Sequence, residues 1–330
     1  MIYNQWYVIL ESREVKAKKP LKVTRLNETM VLWRNKTGKV CCIADRCCHR
    51  GASLSCGRLV DGKVECPFHG FLFDDEGKVK LIPANGKNAN IPESQQVNSY
   101  ITYENYGLIW IWYGDNDKKT DEPFFFKELA NMSYSTFIDP WHAHYSRCIE
   151  NQLDVVHLPF VHKTTIGAGN KTLVNGPVVV RNGEMITFYV DNIMDDGETV
   201  PLKPAEIPNY EKLFHLQFHY PNIWQNFISD KMRIFAAFVP VDNEHTLIYL
   251  RNYQNFITIP IVKHIVNYLI KLSNIVIIRQ DKRVVETQLP LKSDVKMDER
   301  LIMGDKPIIE YRKHREALTK SEVHDILDFI

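Results

Sequence analysis

The sequence predicts an α+β protein, with an antiparallel β domain at the N-terminus followed by a domain that combines a sheet with long helices. Three observations lead there. The first third is a series of short aromatic and β-branched runs separated by turn signals. The later part sets strand-like runs between two helical candidates. A polar stretch, Gly114 to Asp121, has no apolar anchor and divides the two, so the expected domains are 1–117 and 118–330.

In the first domain, Trp6–Leu10, Thr29–Trp33 and Leu108–Tyr113 are the strand candidates, and Asn35–Gly38, Asp61-Gly62 and Asp75–Gly77 are the turns. In the second, Val178–Val180, Ile186–Val190 and Arg233–Val239 are expected strands. One helix is expected to run up to about His157, before Pro159, and another from about Val262 to Gln288, before Pro290. The apolar stripe of the second helix is read as Val266, Leu269, Ile270, Ser273, Ile277 and Val284.

With 330 residues the chain can bury a substantial core. Its 41 Lys+Arg against 40 Asp+Glu leave a net charge of +1, which offers no electrostatic argument for nucleic acid or an acidic membrane as partner. A hydrophobic share of 45% and a charged share of 25% exclude disorder, collagen and coiled coil. The seven cysteines are an odd number, six of them clustered between Cys41 and Cys66, unlike a secreted disulfide scaffold. Met1–Leu10 shows no secretory pattern, and the apolar run Phe256–Ile278 is interrupted by Pro260, Lys263, His264, Asn267, Lys271 and Asn274. The expectation is a reduced, cytoplasmic, soluble protein without a membrane span.

The clustered cysteines carry the first chemical signal. Cys47-x-His49 is followed after sixteen residues by Cys66-x-x-His69. Each of two short loops offers one thiolate and one imidazole, the ligand set of a [2Fe–2S] centre with two cysteines on one iron and two histidines on the other. Gly51 and Gly70 allow close backbone approach. Zinc also accepts Cys₂His₂, although its fingers and ribbons more often pair like with like in each loop. The spare thiol, Cys48, is expected to be a small buried side chain.

The second signal is Asp154-x-x-His157-x-x-x-x-His162. Asp154 and His157 share a face if the helix reaches that far, and Pro159 provides a turn that swings His162 back toward His157. Such a pair is half of a two-histidine, one-carboxylate site for non-haem Fe(II). On their own the two residues read equally well as unrelated histidines at a helix end.

Together these patterns resemble the Rieske non-haem iron oxygenases, specifically their α (oxygenase) subunit, whose motif N-x-x-D-x-x-H-x-x-x-x-H is matched by Asn151, Asp154, His157 and His162. The resemblance runs from Trp6-Tyr7 to about residue 288. It implies a Rieske β domain, a helix-grip-like catalytic domain, and a mononuclear iron whose carboxylate comes from a late helix. Asp281 is the candidate, because it falls on the apolar stripe, where an unpaired carboxylate is costly. Glu286, the rival, falls off it. The resemblance further implies that Asp154 orients His157 and contacts the Rieske histidine of a neighbouring subunit, here His69, in a homotrimer.

No G-x-G-x-x-G stands between a strand and a helix, Gly167-Ala168-Gly169 being the nearest approach. The family pattern then implies NAD(P)H used only indirectly, through a separate reductase and sometimes a ferredoxin. The expected activity is O₂-dependent hydroxylation or demethylation of a small organic molecule, aromatic ones included, as in single-subunit-type monooxygenases and O-demethylases. Ring cis-dihydroxylation and a pure Rieske electron carrier are the alternatives.

Overall fold

The structure is a computed structural model that describes residues 1–257 and 259–327. The chain divides into two compact units, Asn4–Pro123 and Met1–Tyr3 with Phe124–Ile330.

The first unit is built from three small antiparallel sheets. Strand β1 (Gln5–Glu11), β2 (Leu21–Arg25), β3 (Glu28–Arg34) and β4 (Val40–Ala44) come first; β5 (Arg58–Val60), β6 (Lys63–Glu65), β7 (Leu72–Phe73), β8 (Val79–Leu81), β9 (Thr102–Asn105) and β10 (Leu108–Tyr113) follow. They pair as β1-β10-β9, β2-β3-β4 and β5-β6-β7-β8. All three expected strands are present, and β1 and β10 are nearly continuous buried runs because both of their faces are covered. The Asp61-Gly62 turn joins β5 to β6, with both residues at positive φ, as a two-residue hairpin turn requires. That hairpin lies between the two Cys/His loops and sets their separation.

The second unit contains a seven-stranded antiparallel sheet. It is built from β11 (Ser133–Trp141), β12 (Leu173–Asn182), β13 (Met185–Ile193), β14 (Phe214–His219), β15 (Ile223–Ser229), β16 (Met232–Pro240) and β17 (Thr246–Gln254). Their order is β11-β17-β16-β15-β14-β13-β12, so each hairpin neighbour in sequence is a neighbour in space except where β11 crosses to β17. Helices α1 (Tyr145–Leu153), α2 (Leu158–Val161), α3 (Pro260–Val285) and α4 (Lys306–Leu327) complete the unit. A core of Trp141, Ile149, Phe188, Phe218, Phe238, Ile248, Ile278 and Tyr311 fills the space between sheet and helices.

Two helical expectations need correction. The first helix stops at Leu153, not near His157, and Asp154 is its extended C-cap residue. The Asp154 carboxylate accepts the backbone N–H of Val156 (2.6 Å) and of His157 (3.2 Å), an Asx turn that competes with continued helix. The second helix runs Pro260–Val285, but its buried stripe is Asn267, Asn274, Ile278, Asp281 and Val285. Leu269 and Val284, read as core, are exposed at 58% and 40%. Apolar periodicity misled because this helix buries amides and a carboxylate and turns aliphatic side chains outward. Among the described residues α3 is also the one helix long and apolar enough to cross a bilayer by length and composition.

Helix α4 had no expectation, yet it anchors the unit. Arg312 donates from Nε and Nη2 to the two Glu150 carboxylate oxygens, both at 2.8 Å, and pairs with Glu299 at 2.8 Å. Arg147 joins the network at 3.3 Å to Glu150 and 2.9 Å to Glu299. Bidentate geometry is what makes such buried charges tolerable.

Candidate metal centres

The two Cys/His loops are built alike. In the first, Cys47 N–H donates to Ala52 C=O (2.8 Å) and Gly51 N–H to Cys47 C=O (2.9 Å). In the second, Cys66 N–H donates to Phe71 C=O (2.8 Å) and Gly70 N–H to Cys66 C=O (3.0 Å). Gly51 and Gly70 both adopt φ +73°, a conformation that a side chain would strain. The same turn is thus repeated on either side of the β5–β6 hairpin.

These turns bury Cys47 and Cys66 at the edge of a core that includes Trp33, Val64 and Phe73. The imidazoles of His49 and His69 meet with ring centroids 4.6 Å apart, and His49 stacks on Phe71 at 4.9 Å. Burial, with Cys66 beside it, pushes the Cys47 thiol up to about 11, so a bound metal would have to supply the charge that makes it a thiolate. The loop base is fastened by Asp45, a buried carboxylate that accepts Ser55 N–H (2.6 Å) and both the Ser53 and Ser55 hydroxyls. The sequence reading missed Asp45; its signal is an acidic residue shortly before a Ser-x-Ser. Cys48, expected to be buried, is exposed, with its thiol 3.4 Å from Gln95 Oε1. Consecutive residues in this tight loop point opposite ways, and Cys47 takes the inward position.

In the second unit, His157, His162 and Asp281 come together, each offering one ligand atom and all within 4.8 Å of one another. His157 opens α2, His162 closes it, and Asp281 lies on the buried face of α3. Asp281 Oδ1 is 2.9 Å from His162 Nε2 and 3.5 Å from His157 Nε2. Glu286, the rival carboxylate, is elsewhere: it accepts the His142 backbone N–H at 2.7 Å and lies 3.8 Å from Lys282.

The surroundings fix how each ring presents its nitrogens. Gln280 Oε1 is 2.9 Å from His162 Nδ1 and is itself held by the Thr165 hydroxyl at 2.9 Å. An amide oxygen there keeps the proton on Nδ1 and leaves Nε2 free for a metal. Gln280, unmarked in the sequence reading, is the immediate neighbour of Asp281. Asp154 lies 3.7 Å from His157 Nδ1, longer than the hydrogen bond expected between them. Burial opposes its charge, but His157 and the two amides of the Asx turn hold the Asp154 carboxyl below its ordinary range. Gly167, the nearest approach to a nucleotide motif, has a packing role instead: a Cβ there would stand 1.9 Å from Leu158 C=O.

A cavity of about 510 Å³ opens beside these three residues. Its walls are mostly aliphatic and aromatic, with Phe188, Leu216, Trp224, Ile234, Leu250 and Ile278 prominent. Five residues of the lining keep a buried polar atom without a hydrogen-bond partner: Asn151 Nδ2, His157 Nδ1, Asp281 Oδ1, Trp224 Nε1, a donor, and Asn226 Oδ1, an acceptor. Trp224 and Asn226 sit two apart on β15 and so face the same side. Among the described residues no lysine or arginine lines the cavity, and the ionisable side chains there are Asp154, His157, His162 and Asp281.

The donor set suits iron. Two imidazoles and one carboxylate form a facial triad, with the buried Asp281 Oδ1 facing the Nε2 atoms of both rings.

Comparison with known proteins accords with both halves. Residues 5–100 match the Rieske [2Fe–2S] domain, and residues 141–321 match the vanillate O-demethylase oxygenase C-terminal domain. The first match selects the iron–sulfur reading of the Cys/His loops over zinc. Methylxanthine N1-demethylase NdmA of Pseudomonas putida is 30% identical over 311 residues, which are 92% of this chain and 83% of that protein. The vanillate O-demethylase oxygenase subunit of Pseudomonas sp. (strain HR199) is 33% identical over 197 residues, 58% of this chain and 54% of that protein. With several of the curated relatives it matches, the chain aligns over only about half of their length. The solved structure of Pseudomonas putida CBB5 NdmA superposes with a TM-score of 0.80 at 26% identity, covering 97% of this chain and 92% of that one. Dicamba monooxygenase bound to dicamba shares the fold, with a TM-score of 0.78 at 21% identity over 98% of this chain and 99% of that one. A Rieske domain followed by an oxygenase domain of the vanillate O-demethylase type is the family's two-part architecture, and the chain belongs to the Rieske oxygenases.

Proposed function

We propose that this protein is a monooxygenase that oxidises a neutral, largely apolar small molecule, with O- or N-demethylation as the favoured outcome. The observation that carries this reading is the His157/His162/Asp281 cluster at an apolar cavity without a cationic side chain. Cys47, His49, Cys66 and His69 hold the [2Fe–2S] centre in this reading, and His157, His162 and Asp281 hold the mononuclear iron. When bound, that iron supplies O₂ activation, with electrons that reach it from the Rieske centre.

The chain's own residues orient substrate and exclude water. The aliphatic walls desolvate the ligand. A substrate carboxylate or sulfonate would enter this cavity with no cation to meet it and with Asp154 among its walls. Among relatives, NdmA has been solved with caffeine, a neutral heterocycle.

Demethylation of a methoxy or N-methyl group consumes one O₂, two electrons and two protons, and yields the free hydroxyl or amine, formaldehyde and water. The chain shows no nucleotide motif, so we infer that a separate NAD(P)H-dependent reductase, with or without a ferredoxin, delivers the electrons. All seven cysteines are free, in keeping with a reducing, cytoplasmic setting. We further propose a homotrimer in which Asp154 of one chain faces the His69 position of the next.

The test is O₂ uptake and formaldehyde release by the iron-loaded protein with a chemical or enzymatic reductant. Matched methoxy-aromatic or N-methyl-heterocyclic pairs, neutral and carboxylated, are compared. Coupled turnover of the neutral member is expected. Preference for the carboxylated member would overturn the substrate class, and a protein with the Rieske centre but no coupled O₂ uptake would point to the electron carrier.

A further inference from the structure

Helix α3 is amphipathic in the reverse sense. Its inward face carries Asn267, Asn274 and Asp281, spaced one heptad apart and all buried. Its outward face carries Ile261, Ile265, Tyr268, Leu269, Leu272 and Val276, exposed between 41% and 75%. These positions recur at three- and four-residue intervals, so they form a single continuous stripe about 22 Å long. Ile259, just before the helix, is also exposed at 63%. Scattered exposed apolar residues are ordinary, but a contiguous stripe marks a surface that is covered in use.

The charges beside the stripe say what covers it. From Asn255 to Gln280 there is no aspartate or glutamate, while Lys271 and Arg279 flank the stripe and Lys263 falls on the side of Asn267. The net charge of +1 for the whole chain conceals this local excess. Lysine stems can lie along an apolar stripe while their ammonium groups reach sideways to anionic headgroups. A second copy docked face to face on the stripe would set Lys271 and Arg279 against basic residues, with no acidic side chain on this stretch to meet them. Spanning is excluded by the inward face, which packs on the unit and holds Asp281 beside the two histidines.

We propose that the outer face of α3 is a membrane-surface anchor, lying in the plane of an anionic lipid bilayer with Ile261, Ile265, Tyr268, Leu269, Leu272 and Val276 seated among the acyl chains. The same helix lines the substrate cavity with Ile270, Ser273, Asn274, Ile277 and Ile278 on its other side. The anchor therefore holds the cavity wall at the lipid surface, where neutral apolar molecules concentrate.

The experiment is co-sedimentation of the full, iron-loaded chain with vesicles of phosphatidylcholine alone or with about 30 mol % phosphatidylglycerol. Binding to the anionic vesicles, weakened as salt is raised, is the expected result. The Ile265→Glu/Leu269→Glu double variant should bind about tenfold less, with its Rieske absorption and helical circular dichroism unchanged. Lys271→Gln/Arg279→Gln, which keeps the stripe, should lose the dependence on phosphatidylglycerol. Equal recovery of the unaltered protein with and without phosphatidylglycerol overturns the proposal whether or not the variants fold. So does a double variant that binds vesicles as the parent does. A variant whose only change is a smaller particle mass in light scattering would make the stripe a contact between copies. Binding of the parent to an acidic soluble protein but to neither vesicle would make it a protein-docking face.

Discussion

Asp281 Oδ1 stands 3.5 Å from His157 Nε2, although the carboxylate comes from the buried face of α3 and the imidazole from the residue that opens α2. The pair meets because α1 ends early at Leu153 and the Asx turn of Asp154 brings the chain around to α2. Replacing Asp281 by Ala should lower bound iron from about three to about two per chain, with the Rieske EPR signal intact. Turnover should be lost. Glu286→Ala should retain iron and activity; the opposite pattern would move the carboxylate role to Glu286.

Asp154→Asn keeps an Asx-turn acceptor for Val156 and His157 but removes the charge. The expected outcome is a protein with both metal centres and unchanged size whose Rieske centre reoxidises far more slowly in single turnover with substrate and O₂. Rapid reoxidation would refute the bridging role, and an active, strictly monomeric protein would refute the route between subunits.

His144 caps α1, its Nδ1 accepting the Ser146 N–H at 3.3 Å, and is almost fully buried. Burial, reinforced by Arg315, the N-terminus and Lys292, pushes its imidazole down to about 3. The unfolded chain takes up this proton near pH 6.5 while the folded chain refuses it. The stability from a neutral His144 is therefore complete above pH 6.5 and declines as the pH falls toward 3. His144→Asn retains a capping acceptor and should flatten the loss between pH 6.5 and 5 by about 2 kcal/mol. Urea titrations at the two pH values measure it, and parallel curves for parent and variant would contradict the assignment.

Glu150→Gln leaves the buried Arg312 and Arg147 with one carboxylate, that of the partly exposed Glu299, in place of two. A destabilisation of about 3–5 kcal/mol is expected from breaking this buried network. Replacing Glu150 and Arg312 together by Met should cost less than the single change, because no charge is stranded. Thermal melts of the three proteins provide the comparison.

Much of this protein was legible in its sequence because the informative features are local. Each Cys/His loop is a single tight turn, so ligand spacing and glycine position appear in consecutive residues. The Asp61-Gly62 hairpin and the strands of the first unit announce themselves by turn chemistry and β-branched runs. The two histidines flank Pro159 within one short segment.

What the tertiary structure decided is everything that depends on partners distant in sequence. The end of α1 at Leu153 was settled by a carboxylate that bonds its own following amides, which periodicity does not report. The inner face of α3 was misread because an amphipathic pattern states which residues are apolar, not which side meets the sheet. In this helix the amides and the carboxylate go inward, where His157 and His162 await Asp281, and the aliphatic residues face out. Helix α4, Asp45 and Gln280 carry no motif; each matters only through the group it meets. Local composition thus determined the metal-ligand vocabulary and the fold class, while long-range packing determined which carboxylate joins the histidines and which face of the long helix is left for something else to cover.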